Sequence, residues 1–188
     1  SVFDHAVAEA RRRGDIFNVA FMLMWRGYCQ TRRGDLRAAV ADLREAIDLC
    51  VAHGMLVAWP YNIAFLALAL LEQGETDEAA RTIDQGDFAE QLPLGQVPLV
   101  WFRLSRGRLR IETGSPERGV EELLHVGETV RLVPCDNPSD LPWRSWASEG
   151  LRLLERNDEA GALTDEELAL ARRWGDPHAI GASLRARG

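Results

Sequence analysis

The 188 residues predict an all-α protein, a right-handed superhelix of stacked two-helix hairpins with a period near 40. Three observations lead there. The stretch Gly27 to Gly54 reads as a helix ending near Thr31, a turn at Arg33-Gly34-Asp35, and a second helix over Leu36 to His53. In that second helix Leu36, Val40, Leu43, Ile47 and Val51 recur at three- and four-residue steps, which marks one helix face. A hairpin with one apolar side cannot bury that side alone, so copies are expected. The copies show as ladders of small residues: Ala39, Ala79, Gly119 and Ala160 at steps of 40, 40 and 41, with Gly27, Ala67, Gly107 and Gly34, Gly74, Gly114 each at steps of 40. Finally, no run longer than a few residues alternates with the two-residue period of a strand.

Taken in order, residues 4–13 predict a helix tail closed by Gly14, the ending that returns at Gly54 and Gly175. Glycine there can adopt the left-handed conformation, and the preceding arginines suit the negative end of the helix. Residues 15–54 form a hairpin whose first helix carries Phe17, Phe21, Met24 and Tyr28 on one face. The next hairpin spans 58–92, with Ile63, Leu66, Leu70 and Leu71 apolar and Thr76 as the cap of its short second helix. Gly86, Pro93, Gly95 and Pro98 punctuate a connection. The third spans 97–131, with Ser115 as cap and Pro116 at the first helical position of its second helix. Val120, Leu123, Leu124 and Val130 carry the buried face. Breakers fill Val133 to Pro142, and the fourth hairpin spans 142–175. Its second helix is expected to run unbroken past Gly161 and past Thr164 with Glu167, although that pair has capping-box spacing. Residues 177–188 open another first helix. Residues 1–14 and 177–188 are thus partial repeats of one helical-repeat domain, and Ser1 in place of methionine predicts a piece of a longer chain.

Composition narrows the function classes. Hydrophobic residues make up 46% and charged ones 27%, ordinary for a globular protein. A net charge of −7 repels a phosphate backbone, so direct nucleic-acid contact is not expected. All 22 basic residues are arginine, which excludes a phosphate-loop or Schiff-base lysine. No apolar run approaches the ~20 residues that cross a bilayer, the longest being Ile63 to Leu71. Cys29, Cys50 and Cys135 form no C-x-x-C pair. Cys29 and Cys50 fall near opposite ends of their hairpin, so reduced thiols and a cytoplasmic location are expected.

In Gly27, Gly34-Asp35, Ala39, Leu43 and Ala46 the first full hairpin resembles the later half of a tetratricopeptide repeat, although the period exceeds 34. From about residue 85 onward, RGRLRIETGSPERGVEELLHVGE and the run from Asn137 to Gly188 resemble the helical-repeat region of large LuxR-type regulators, similar in plan to the maltose-regulator class. Pro142-Trp143-Arg144-Ser145 and Glu166 to Gly175 are the most specific pieces. The resemblance implies a tetratricopeptide-like middle region between an N-terminal ATP-binding domain and a C-terminal helix-turn-helix. ATP is thereby implied for the full protein, and no cofactor for this stretch.

Three constellations are candidate sites. Trp59, Trp101 and Trp143 recur at steps of 42 near the starts of first helices, with Trp146 nearby. First helices line the concave face of such stacks, so the rings could floor a groove for a peptide or small ligand. The competing reading is that they wedge between hairpins. Arg103, Arg106 and Arg110 share one helix stripe, and with Arg144 could meet an acidic ligand or a neighbouring domain. Against this stands a solvated face neutralised by Glu112, Glu117 and Glu121. Glu122, His125 and Glu128 follow a three-residue step but lack the second motif that a di-iron bundle needs, so no metal site is expected.

The function expected is therefore not enzymatic. This stretch is read as the signal-sensing region of a LuxR-type transcriptional regulator, binding an effector or partner domain and coupling it to ATP-dependent assembly. A free-standing adaptor for peptides is the alternative. Apolar stripes on the end helices, Phe3-Ala6-Ala10 and Ile180-Leu184, also predict self-association.

Overall fold

The computed structural model describes residues 2–86, 96–132 and 136–187. Among them the chain forms ten α-helices, one short 3-10 turn and no strand. These are α1 (Val2–Arg13), α2 (Ile16–Arg33), α3 (Leu36–His53), the turn Leu56–Ala58, α4 (Trp59–Gln73), α5 (Thr76–Asp84), α6 (Gln96–Glu112), α7 (Pro116–Arg131), α8 (Trp143–Leu153), α9 (Asn157–Trp174) and α10 (Pro177–Arg187). The fold is all-α, as the periodicity predicts. The chain divides into two compact units, Ser1–Ser105 and Arg106–Gly188, with the boundary inside α6.

Local chemistry sets most helix ends. Asp15 caps α2, its carboxylate accepting the Asn18 amide at 3.1 Å. Thr76 is not a cap: it is the first residue of α5, and Glu75 precedes it. Ser115 does take the cap position of α7, but its hydroxyl makes no capping bond. Helix α9 runs unbroken through Gly161, where the capping-box spacing allowed a restart. Gly34, Gly74 and Gly114 close first helices in the left-handed conformation, and each is followed by an amide that reaches back to a carbonyl in the last turn.

The next rung of that ladder, 41 residues past Gly114, is Glu155. It makes the same turn at φ 60, and it is the one non-glycine residue with positive φ among those described. A side chain there costs on the order of 1–2 kcal/mol, of which glycine's extra unfolded-state freedom gives back about half. Glu155→Gly is therefore expected to stabilise the second unit by about 0.5–1 kcal/mol, read as a shift of the urea midpoint. A loss of stability would show that the Glu155 side chain matters more than its backbone.

The small-residue ladders mark where the two helices of one hairpin cross. A methyl group at Gly27 would lie 2.6 Å from Leu43 Cγ and 3.2 Å from the Ala39 carbonyl. At Gly107 it would lie 2.8 Å from Leu123 Cγ and 3.1 Å from the Gly119 carbonyl. Ala67, Ala79 and Ala160 are fully buried at matching positions. The fourth rung, Ser148, is equally buried and is disguised in the sequence by its hydroxyl, which donates to the Ser145 carbonyl at 2.7 Å. Because close approach decides the seam, α3 buries Ala39, Leu43, Ala46 and Cys50. Val51, expected on the buried face, is 62% exposed.

Charge crosses the same seam. Arg26 of α2 donates to both oxygens of Asp42 at 2.6 and 2.7 Å, and also to Asp4 at 3.0 Å. One double period later, Arg106 pairs with Glu122 at 2.5 Å. The intervening hairpin has Leu66 and Thr82 at those two places, both buried.

Within each unit, like helices are neighbours. In the first, α2 packs on α4, while Arg11–Glu45 (2.6 Å) ties α1 to α3 and Arg44–Glu78 ties α3 to α5. In the second, α8 packs on α10, and Arg131–Glu166 (3.2 Å) ties α7 to α9. Helix α4 is buried on every side from Ile63 to Leu71. With the turn before it, Leu56–Gln73 is long and apolar enough to cross a membrane by length and composition, yet most of it is inside the unit. At the ends, Ala10 is buried beside Val7, and α10 buries Ala179 and Ser183. Of the stripes expected to be bare, Phe3, Ala6 and Ile180 are half-buried, and Leu184 is exposed.

Candidate functional site

The most prominent surface feature of the first unit is a run of aromatic rings along the first helices. On α2, Phe17 stacks on Phe21 with centroids 6.2 Å apart; Phe21 meets Trp25 edge-on at 6.2 Å, and Trp25 meets Tyr28 at 6.0 Å. The run crosses to α4 where Phe65 lies 4.6 Å from Tyr28 and 5.7 Å from Trp25, with Tyr61 6.3 Å from Phe65. It reaches α6 at Trp101, 5.3 Å from Tyr28 and 5.1 Å from Phe65. Edge-to-face contacts of this kind add about 0.5–1.5 kcal/mol each beyond burial. Phe65 is the buried centre, Trp25, Tyr28, Tyr61 and Trp101 are half-buried, and Phe17 and Phe21 are 60% and 38% exposed. Burial holds the Tyr61 phenol neutral by pushing its pKa up. The surface offers ring faces, ring edges and neutral hydroxyls, which suits noncovalent recognition of an apolar or flat ligand.

Of the three tryptophans spaced by 42, Trp101 belongs to this run. The hairpins repeat at 40 and then 41, so a step of 42 displaces Trp59 from Trp101 by two residues, about 200° around the helix, and Trp143 by one, about 100°. Trp59 is half-buried, and its indole N–H donates to the Gln85 carbonyl at 3.3 Å. Trp143 is wholly buried, covered by the Arg144 guanidinium 4.2 Å and the Arg131 guanidinium 5.2 Å from its ring centre. It thus presents no surface to a ligand. The aromatic series that does follow the repeat is Phe21, Tyr61 and Trp101, with Trp25 and Phe65 beside it.

The arginines are spent on the protein itself. Arg106 and Arg110 both reach Glu122, at 2.5 and 2.6 Å, in place of the Glu112, Glu117 and Glu121 expected to neutralise them. Arg103 is half-buried on the same helix. Arg144, 1% exposed, grips both oxygens of Asp136 at 2.8 and 2.5 Å and reaches Glu166 at 3.0 Å. Those hydrogen bonds outweigh burial and hold the Asp136 carboxyl below its usual range. Arg144 is therefore a buried structural cation and not a groove residue. Trp146 is half-buried beneath Arg108, whose guanidinium lies 4.9 Å from its ring.

A feature not read from the sequence sits in the second unit. Glu167 of α9 is buried, and its carboxyl meets the Ser145 amide of α8 at 2.9 Å, the Ser145 hydroxyl, and the Ser183 hydroxyl of α10 at 3.2 Å. The capping residue for α8 comes from a neighbouring helix 22 positions on, beyond the reach of any local motif.

Cys29 is half-buried and Cys50 buried; both are free thiols, and burial pushes the Cys50 thiol up to about 11. Cys135 lies outside the described residues. Among those described, no cluster of three or more His, Cys, Asp or Glu is able to hold a metal. His125 meets Glu128 at 3.7 Å. No family model matches the chain, and no curated protein matches it.

Proposed function

We propose that this stretch is the sensing and partner-binding region of a LuxR-type, ATP-dependent transcriptional regulator, with the aromatic run on α2, α4 and α6 as its binding surface. The observation that carries the binding role is the exposure of Phe17 and Phe21 at one end of a ring series otherwise packed into the unit. The regulator setting rests on the resemblance of the second half of the chain. In this reading the hairpins form a right-handed superhelix in the cytoplasm, a small-molecule or protein effector spans two first helices, and ATP binding and DNA contact belong to other domains. Hairpins that touch only their neighbours let such a ligand bias the whole stack.

The test uses the intact regulator in cells. A Phe17→Ser, Phe21→Ser double variant is expected to keep the fold while losing about 1–3 kcal/mol, since it gives up two surface ring contacts of about 0.5–1.5 kcal/mol each. It is expected to lose most of its induced transcription. Full induction with the variant expressed at normal levels would remove the aromatic run from consideration. A second reading, a free-standing peptide adaptor, is favoured by the fact that the run is complete within one unit. The reading frame separates the two: a phosphate loop upstream and a helix-turn-helix downstream belong to the regulator only.

A further inference from the structure

We propose that Glu167 carries a proton in the folded chain and acts as a clasp, one carboxyl group docking α10 onto α8 and α9, so that this docking is linked to pH. Hydrogen counting is the basis. Glu167 is 1% exposed, and one of its oxygens accepts the Ser145 amide, a first-turn N–H that has no partner inside α8. The other oxygen meets two serine hydroxyls, Ser145 and Ser183. Ser183 has a single hydrogen, and the Ala179 carbonyl at 2.8 Å is the nearer acceptor. With the Ser183 hydrogen assigned to that nearer carbonyl, the 3.2 Å contact between the Ser183 and Glu167 oxygens takes its hydrogen from the carboxyl.

The charged neighbours do not supply a counter-ion. From α8, Arg144 lies closest in effect but is committed to Asp136 and Glu166, Arg152 is engaged by the Ser148 hydroxyl and the Arg187 carbonyl, and Glu149 carries the same sign as Glu167. On α9 itself, Glu166 pairs with Arg131 and Arg144, and Asp165 pairs with Arg187 at 3.1 Å. The face that α10 turns inward is Ala179 and Ser183, without a titratable group, while His178, Arg185 and Arg187 are exposed. Asp176, at the start of α10, is held low by hydrogen bonds led by the Ser139 hydroxyl, so it titrates below the range at issue. Burial pushes the Glu167 carboxyl up, against the pull of its serine hydrogen bonds and of Arg144.

A group whose docked-state pKa is raised stabilises docking fully below its ordinary pKa. That stabilisation falls about tenfold per pH unit above the ordinary value and is gone once the pH has passed through the raised one. Amide hydrogen-exchange protection of α10, measured on the full chain across that range and corrected for intrinsic exchange, is expected to fall with this slope. In Glu167→Gln the amide keeps an acceptor for Ser145 and an N–H for Ser183, so protection is expected to remain and to be flat with pH. Infrared difference spectra should show a protonated-carboxyl band in the parent that Glu167→Gln lacks. A flat parent profile, or a Glu167→Gln profile as steep as the parent, overturns the proposal. Should Glu167→Gln fail to fold, Ser183→Ala decides: it leaves the cap on α8 intact, is expected to make the slope shallower, and an unchanged slope overturns the proposal.

Discussion

Truncating Trp143 to alanine is expected to cost the second unit about 3–5 kcal/mol, the range for emptying a large buried aromatic site. The ring is completely enclosed. It fills the space left by Gly127, where a methyl group would come within 2.5 Å of it, and its N–H donates to Asp136 at 3.4 Å. It is also the platform on which the buried Arg144 guanidinium lies, so its loss loosens an ion pair that cannot re-solvate in place. Trp59→Ala, at the half-buried member of the same sequence series, is expected to cost roughly half as much or less. Guanidinium unfolding of both variants, fitted with one transition per unit if two appear, makes the comparison. Equal losses would mean that Trp59 and Trp143 occupy equivalent places after all.

The second large effect is expected at the closest helix crossing. Adding a methyl group at Gly119 would place it 2.6 Å from the Gly107 carbonyl oxygen and 2.5 Å from Ile111 Cγ1. The oxygen belongs to helix backbone and cannot turn aside. Glycine to alanine in a helix gains up to about 1 kcal/mol from propensity alone. Overpacking of this kind costs about 1–3 kcal/mol, so the net result of Gly119→Ala is a loss, and Gly119→Val, which brings more bulk and a poorer helix former, loses more. Gly161 is the control, since a methyl group there meets nothing within 4 Å; Gly161→Ala should stabilise α9 by about 0.5–1 kcal/mol. If both alanine variants gain stability, α6 and α7 stand further apart than the structure has them.

The hairpins were readable because a close crossing tolerates few residue types, and those types repeat. Where a different chemistry met the same need the ladder became invisible: Ser148 hides its hydroxyl on a local carbonyl, and Glu155 holds a conformation normally left to glycine. On α3 the pattern of bulky residues points toward Val51, whereas closeness of approach favours Ala39 and Ala46. The aromatic surface was half legible. Tryptophan alone follows a spacing of 42, which leads to Trp59 and the enclosed Trp143; Phe, Tyr and Trp as one class follow the step of 40 through Phe21, Tyr61 and Trp101. Glu167 was not legible at all. Its partners lie 22 and 16 residues away on other helices, and only packing brings them together.

The ties between second helices have a consequence of their own. Arg11–Glu45, Arg44–Glu78 and Arg131–Glu166 are largely bathed in water, with side chains from about a third to a half accessible. Dissolved ions weaken such pairs readily, whereas contacts between packed rings are indifferent to them. In the first unit the direct ties between second helices are therefore ones that brine can relax, while those between first helices are rings that it cannot touch, so ionic strength acts as an adjustment on a single side of the layer.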